Sequence, residues 1–188
     1  MRRSINKQYG RPGVQRHGLL LALPAAFLMA ASVAGASPGL NQELLADVDY
    51  AKQPRPEWIV SGPPEPFEMV FVARAGARHV VNLLGVGEFD AWDHGALARA
   101  LELEYYHIPI ADGDDLDREA VAEFDRVIEA IGDDPALIFC GSGNRVGAAF
   151  ALRAAWHQGY DVEEAIAIGR EHGLTRLESR VRALLDDS

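Results

Sequence analysis

Five consecutive residues, Ala136-Leu137-Ile138-Phe139-Cys140, are apolar throughout and run straight into Gly141-Ser142-Gly143. A run that short is a strand rather than a helix, and a strand with no polar face must be covered on both sides, as in a parallel sheet between helical layers. The flanks supply the helices. Asp117 to Ile131 puts Phe124, Val127, Ile128 and Ile131 at i, i+3, i+4 and i+7, with Gly132 as a stop. Arg145 to His157 is a second continuous helical stretch, carrying Phe150 and Trp156.

The same alternation extends upstream and downstream. Trp58-Ile59-Val60 is a strand closed by the turn Ser61-Gly62-Pro63-Pro64, and Phe67, Val70 and Phe71 repeat at helical spacing up to Gly76. His79 to Leu84 suits a buried strand, Asp93 to Leu101 a helix after a Gly-rich loop, and Tyr105 to Ile110 a further strand. Asp161 with Glu164 and Thr175 with Glu178 are spaced as capping boxes of two more helices. Strands alternating with helices predict an α/β fold, a three-layer domain with a central mostly parallel sheet. Ligands of such sheets bind beyond the carboxyl ends of the strands, where Cys140 stands.

Charge divides the 188-residue chain. All 28 acidic residues follow position 36, whereas Arg2, Arg3, Lys7, Arg11 and Arg16 precede it, so the part from residue 37 onward carries a formal charge of −15. Such a surface repels phosphate backbones and anionic lipid, which argues against nucleic acid or a membrane surface as partner. The basic segment, the short apolar run Leu19 to Val33 and the triplet Ala34-Gly35-Ala36 follow the layout of a secretory signal peptide over residues 1–36. The expectation is a periplasmic or secreted protein starting at Ser37, with no stable membrane insertion after cleavage. Residues 37–56 mix Pro, Gly and charge without periodicity and read as a tether or loosely packed N-terminal arm, leaving 57–188 as the folded domain.

Cys140 is the single cysteine, so it cannot close an internal disulfide in an oxidising compartment. Its loop offers another use. Gly141 and Gly143 let successive backbone N–H groups turn inward as an anion nest at a helix N-terminus, and Arg145 presents a planar fork to two oxygens of an oxyanion. The same donors favour a thiolate. His79, His94, His107, His157 and His172 show no metal-ligand spacing, and neither a metal nor a cofactor is expected.

Cys140-Gly141-Ser142-Gly143-Asn144-Arg145, after a buried strand and before a helix, resembles the signature loop of the protein tyrosine phosphatase superfamily, in particular the phosphatase-like domain of the β-lactamase-hydrolase-like proteins. The resemblance extends over about Trp58 to Leu174, through Ser61-Gly62-Pro63, Val80-Val81-Asn82-Leu83 and His107-Ile108-Pro109-Ile110. It implies a protein tyrosine phosphatase-like fold and a phosphoric monoester hydrolase acting on a small-molecule phosphate or a phosphoprotein. In that scheme Cys140 is the nucleophile that becomes a phosphocysteine. Arg145, Gly141, Ser142, Gly143 and Asn144 hold the phosphoryl oxygens, and Asp112 is the general acid, with Asp114 and Asp115 as rivals. Ser142 would assist departure of the thiolate or cap the following helix. Two departures stand out. Only four residues separate Cys140 from Arg145, a spacing shared with rhodanese-type sulfurtransferases, which keeps a persulfide on Cys140 as an alternative. Phe139 stands where these families usually carry a histidine, which leaves an oxyanion-binding protein without turnover as a third reading.

Overall fold

The computed structural model describes residues 39–50 and 52–186; the expected leader, 1–36, lies outside them. Five strands, β1 (Lys52–Arg55), β2 (Trp58–Ser61), β3 (His79–Asn82), β4 (Glu104–His107) and β5 (Ala136–Phe139), form one sheet in the order β1-β2-β5-β3-β4. β2, β5, β3 and β4 are mutually parallel, and β1 joins the edge antiparallel to β2. Among the described residues six helices accompany the sheet: α1 (Pro66–Arg74), α2 (His94–Ala100), α3 (Arg118–Ile131), α4 (Asn144–Gln158), α5 (Val162–Glu171) and α6 (Glu178–Asp186). This is the expected α/β architecture with a mostly parallel central sheet. Among the described residues no helix is long and apolar enough to cross a membrane.

Alternation along the strands sorts the core into two halves. Val60, Val81, Ile138 and Cys140 pack with residues of α3, α4, α5 and α6, whereas Ile59, Val80, Leu137 and Phe139 pack with residues of α1 and α2. The helices begin where their sequences cap them. Asp117 accepts a hydrogen bond from Ala120 N at 2.8 Å, and Asp161 with Glu164 closes a capping box. The stripe Phe124, Val127, Ile128 and Ile131 is the buried face of α3.

Register fixes the functional edge. Ser61 pairs with Phe139, Phe139 with Asn82 and Asn82 with His107, so four parallel strands end level with one another. The segments after them, 62–65, 140–143, 83–93 and 108–117, therefore emerge side by side.

Three local expectations are corrected. The stretch 37–56 carries β1 from residue 52, and Leu40, Leu45 and Val48 are buried in the α1/α2 half of the core. Glu68 joins that stretch to α1, its two carboxylate oxygens accepting from Asp49 N and Glu65 N at 2.7 Å each. The arm's aliphatics are scattered without period, so only tertiary packing reveals them. In α1 the buried residues are Glu68, Met69 and Val72, and Phe67 of the expected stripe is 55% exposed. Thr175 does not open a helix. α6 starts at Glu178, and the Thr175 hydroxyl and N–H both turn to Asn144 instead.

Candidate active site

Cys140 follows the last residue of β5 and is fully buried on the α4 side of the sheet, its N–H directed at Ser61 O at 3.4 Å. The chain then turns through Gly141 and Ser142 to Gly143, which caps α4 with φ of 80°, a conformation suited to glycine. Gly141 is needed for space. A Cβ there would lie 2.7 Å from Arg145 Nη2 and 3.3 Å from a carboxylate oxygen of Glu88. Gly143 is the N-cap of α4 and makes no side-chain cap hydrogen bond, so among the described residues Ser142 is not its cap. The uncapped amides of this 15-residue helix are left as anion donors facing the loop.

Arg145 lies in the first turn of α4, 9% exposed, and its guanidinium is held from two sides. Nη1 donates to Glu88 Oε2 at 2.6 Å, to Ala111 O at 2.9 Å and to Ile110 O, while Nη2 donates to Glu88 Oε1. The two-pronged pair with Glu88 fixes the plane of the fork. Arg145 foremost holds the Glu88 carboxyl below its usual range, burial opposing it. In turn Glu88 raises the Arg145 pKa against the cost of burial, with the Cys140 side chain adding to the rise. Glu88 itself is anchored by Gly85 N, which donates to Oε2 at 2.7 Å. Nothing singled Glu88 out in the sequence; its signal is an acid inside the Gly-rich loop between β3 and α2.

The three candidate acids part company. Asp112 lines a cleft of about 370 Å³ together with Gly141, Ser142, Asn144, Arg145 and Arg176. Asp114 is paired with Arg180 of α6 at 3.2 Å, and Asp115 accepts from Ala111 N at 2.8 Å and faces a separate groove beside His107 and Asp117. Asp112 is oriented by its own loop, accepting from Asp114 N at 2.8 Å.

Asn144 touches this cleft but its carboxamide is engaged elsewhere. Its Oδ1 accepts from Thr175 N at 2.8 Å, Thr175 Oγ1 at 3.1 Å and Leu177 N at 3.4 Å. Phe139 points to the other face, where its ring lies 5.0 Å from that of His94. Among the described residues no group of three or more His, Cys, Asp or Glu side chains could hold a metal ion.

No family model matches the sequence, and no curated protein matches it. Solved structures do. A DUF442 protein from Shewanella putrefaciens CN-32 is 23% identical, with 78% of this chain and 95% of that chain covered and a TM-score of 0.60. Tk-PTP is 24% identical over 73% of this chain and 97% of its own, with a TM-score of 0.55. A kinase associated phosphatase, crystallised with its catalytic-site cysteine replaced by serine, reaches a TM-score of 0.59 at 16% identity, covering 69% of this chain and 84% of that one. At these identities the likeness concerns the fold, and the chain has the α/β fold of the protein tyrosine phosphatase-like proteins.

Proposed function

We propose that the chain is a cysteine-dependent phosphatase working through a phosphocysteine, in the manner its resemblance to the β-lactamase-hydrolase-like phosphatase domains implies. One observation carries the reading: of the three candidate acids after β4, Asp112 alone shares the cleft of Gly141, Ser142 and the Glu88-braced Arg145.

The chemistry follows from those positions. The Cys140 thiolate attacks phosphorus while Arg145 and the amides of the loop hold the non-bridging oxygens, and the developing charge falls on donors already in place. The P–O bond to the leaving group breaks as Asp112 delivers its proton to the leaving oxygen. In the second half-reaction the Asp112 carboxylate takes a proton from water, the water oxygen bonds to phosphorus, and the S–P bond breaks to return the thiolate and inorganic phosphate. Ser142 stands beside the cysteine as a hydroxyl donor for that departure. Phe139, where these families usually carry a histidine, packs on the face of the sheet opposite Cys140. The expected leader makes the cell envelope the proposed location.

The test is a pair of assays on wild type, Cys140→Ser and Asp112→Asn. Wild type should hydrolyse aryl and alkyl phosphates and Cys140→Ser should not. Asp112→Asn loses about 10²- to 10⁴-fold on alkyl or tyrosyl phosphates and much less on nitrophenyl phosphate, because a good leaving group needs no proton. The four-residue spacing favours a second reading, sulfur transfer through a persulfide. Turnover of thiosulfate and cyanide that depends on Cys140 but not on Asp112, without phosphate release, would establish that one instead.

A further inference from the structure

Arg176 has no part in the scheme above, yet it lines the same cleft as Arg145 and Asp112. It is exposed, and among the described residues no carboxylate pairs with it. Its neighbours along the chain are all matched: Arg170 with Glu178 at 2.7 Å, Arg180 with Asp114 at 3.2 Å, and Arg182 with Glu163 at 2.6 Å and Glu178 at 3.1 Å. In a chain with 28 acidic residues against 18 basic ones, an unmatched guanidinium inside the cleft asks for a reason.

The position of Arg176 is built rather than incidental. Thr175 and Leu177, the residues on either side, both donate backbone N–H groups to Asn144 Oδ1, at 2.8 and 3.4 Å. Asn144 is buried and adjoins Arg145 in the first turn of α4. The backbone carrying Arg176 is therefore tied to the phosphoryl-binding loop itself. Gly173 reinforces the tie: a Cβ on it would lie 2.9 Å from Gly143 O, so the two loops touch backbone to backbone.

Charge says what the arginine is for. Glu88 already offsets Arg145, Asp112 adds a negative charge, and Asp114 offsets Arg180. Arg176 is then the one cation of the cleft that is not ion-paired to a carboxylate among the described residues. We propose that Arg176 is a second anion-binding position, and that the substrate is a small phosphoester bearing a further phosphate or carboxylate, held by Arg176 while its scissile phosphoryl group sits on the Cys140–Arg145 loop. An acid-flanked phosphopeptide carries the same chemistry, but its acidic flanks would lie beside Asp112 on a protein of net negative charge. A compact bis-anion fits the cleft of about 370 Å³ without that repulsion.

The proposal rests on the phosphatase reading of this cleft, and its test separates the two. Protection of Cys140 from iodoacetamide is measured on the full chain with inorganic phosphate and with a series of non-hydrolysable alkylene bisphosphonates, beside hydrolysis of a sugar bisphosphate, a sugar monophosphate and a phosphotyrosyl peptide flanked by aspartate. In wild type, at least one bisphosphonate should protect at about tenfold lower concentration than phosphate, and the sugar bisphosphate should be preferred by a similar factor in kcat/KM. Arg176→Gln should bring both ratios to near one. Arg126→Gln, which removes one positive charge from α3 at the other groove, should keep them. Ratios near one in wild type, or equal in both variants, overturn the proposal, as does a preference confined to the acidic peptide. Bisphosphonate protection that depends on Arg176 without hydrolysis of any ester would uphold the second anion position and defeat the phosphatase reading. Hydrolysis with no bisphosphonate advantage would do the reverse.

Discussion

An arginine that is to hold an oxyanion is only as useful as its orientation, and Glu88 sets that of Arg145. Glu88→Gln keeps the shape but removes the charge and one acceptor of the two-pronged pair. The expected result is a fall in kcat/KM of about 10- to 100-fold on phosphoesters. The pair also has a pH signature. The folded Glu88 carboxyl lies below its ordinary value of 4.5, so its contribution to stability is present above that value and is lost as pH falls through the lower folded value. Wild type and Glu88→Gln should therefore differ in unfolding midpoint at pH 6 and converge in strong acid. His94 behaves oppositely. It is buried beside Phe89, Trp92 and Phe139, its Nε2 has no hydrogen-bond partner among the described residues, and burial pushes its pKa down to about 4. The unfolded chain binds a proton there near pH 6.5 while the folded one does not, so stability falls as pH drops from about 6.5 towards about 4. In His94→Phe the slope over that interval should flatten in urea melts; an unchanged slope would show that another group drives it.

Among the elements, α4 and α5 meet most closely, and glycine lets them. A Cβ on Gly147 of α4 would overlap the backbone nitrogen of Leu174, and one on Gly169 of α5 would lie 2.8 Å from Gly147 O. This approach holds residues 173–177 against the Cys140–Arg145 loop. Gly147→Ala should cost about 1–3 kcal/mol or more in stability and lower phosphoester kcat/KM, because the collision is with backbone that cannot rotate away. A variant as stable and active as wild type would mean the two helices separate freely. The periodicity that gave α3 and the uniform apolar run of β5 were legible because one period or one composition decided them. The face of α1 was not. Met69 and Val72 turn inward because Pro66 opens the helix and Glu68 is drawn to Asp49, contacts that depend on a segment with no pattern of its own. The placement of Cys140 and Arg145 at a strand-to-helix junction could be read from local spacing. Glu88 comes from 57 residues away in sequence and Arg176 from a turn after α5, so both emerge only once the sheet aligns its strand ends.

At the scale of the molecule, the sheet has two faces but only one protected hydrophobic edge. β2, Trp58–Ser61, is buried at every position and would be the outer strand of the parallel set without β1. β1 closes it with a short, partly exposed strand containing Pro54, a poor template for further pairing. Residues 39–50 then cover the α1/α2 half of the core with Leu40, Leu45 and Val48, and Leu40 N bonds back to Pro56 O at 2.9 Å. Removing the chain up to residue 56 would strip three buried aliphatic side chains, at about 1.5–3 kcal/mol each, and bare the β2 edge. A chain starting at Glu57 should thus unfold at markedly lower denaturant than one starting at Ser37 and scatter light on concentration. Leu45→Ala in the longer chain isolates the packing part and should cost about 2–5 kcal/mol without aggregation, since β1 stays in place. If the segment were only a tether, both the shortened chain and Leu45→Ala would melt where the full chain does. The Cys140–Arg145 loop lies one strand inward of this edge, with Cys140 N bonded to Ser61 O at the end of β2, so fraying of β2 should reach Cys140. The shortened chain is accordingly expected to lose phosphoester turnover at temperatures where the longer one is still active, and retention of full activity up to its own melting point would show that the edge supports stability alone.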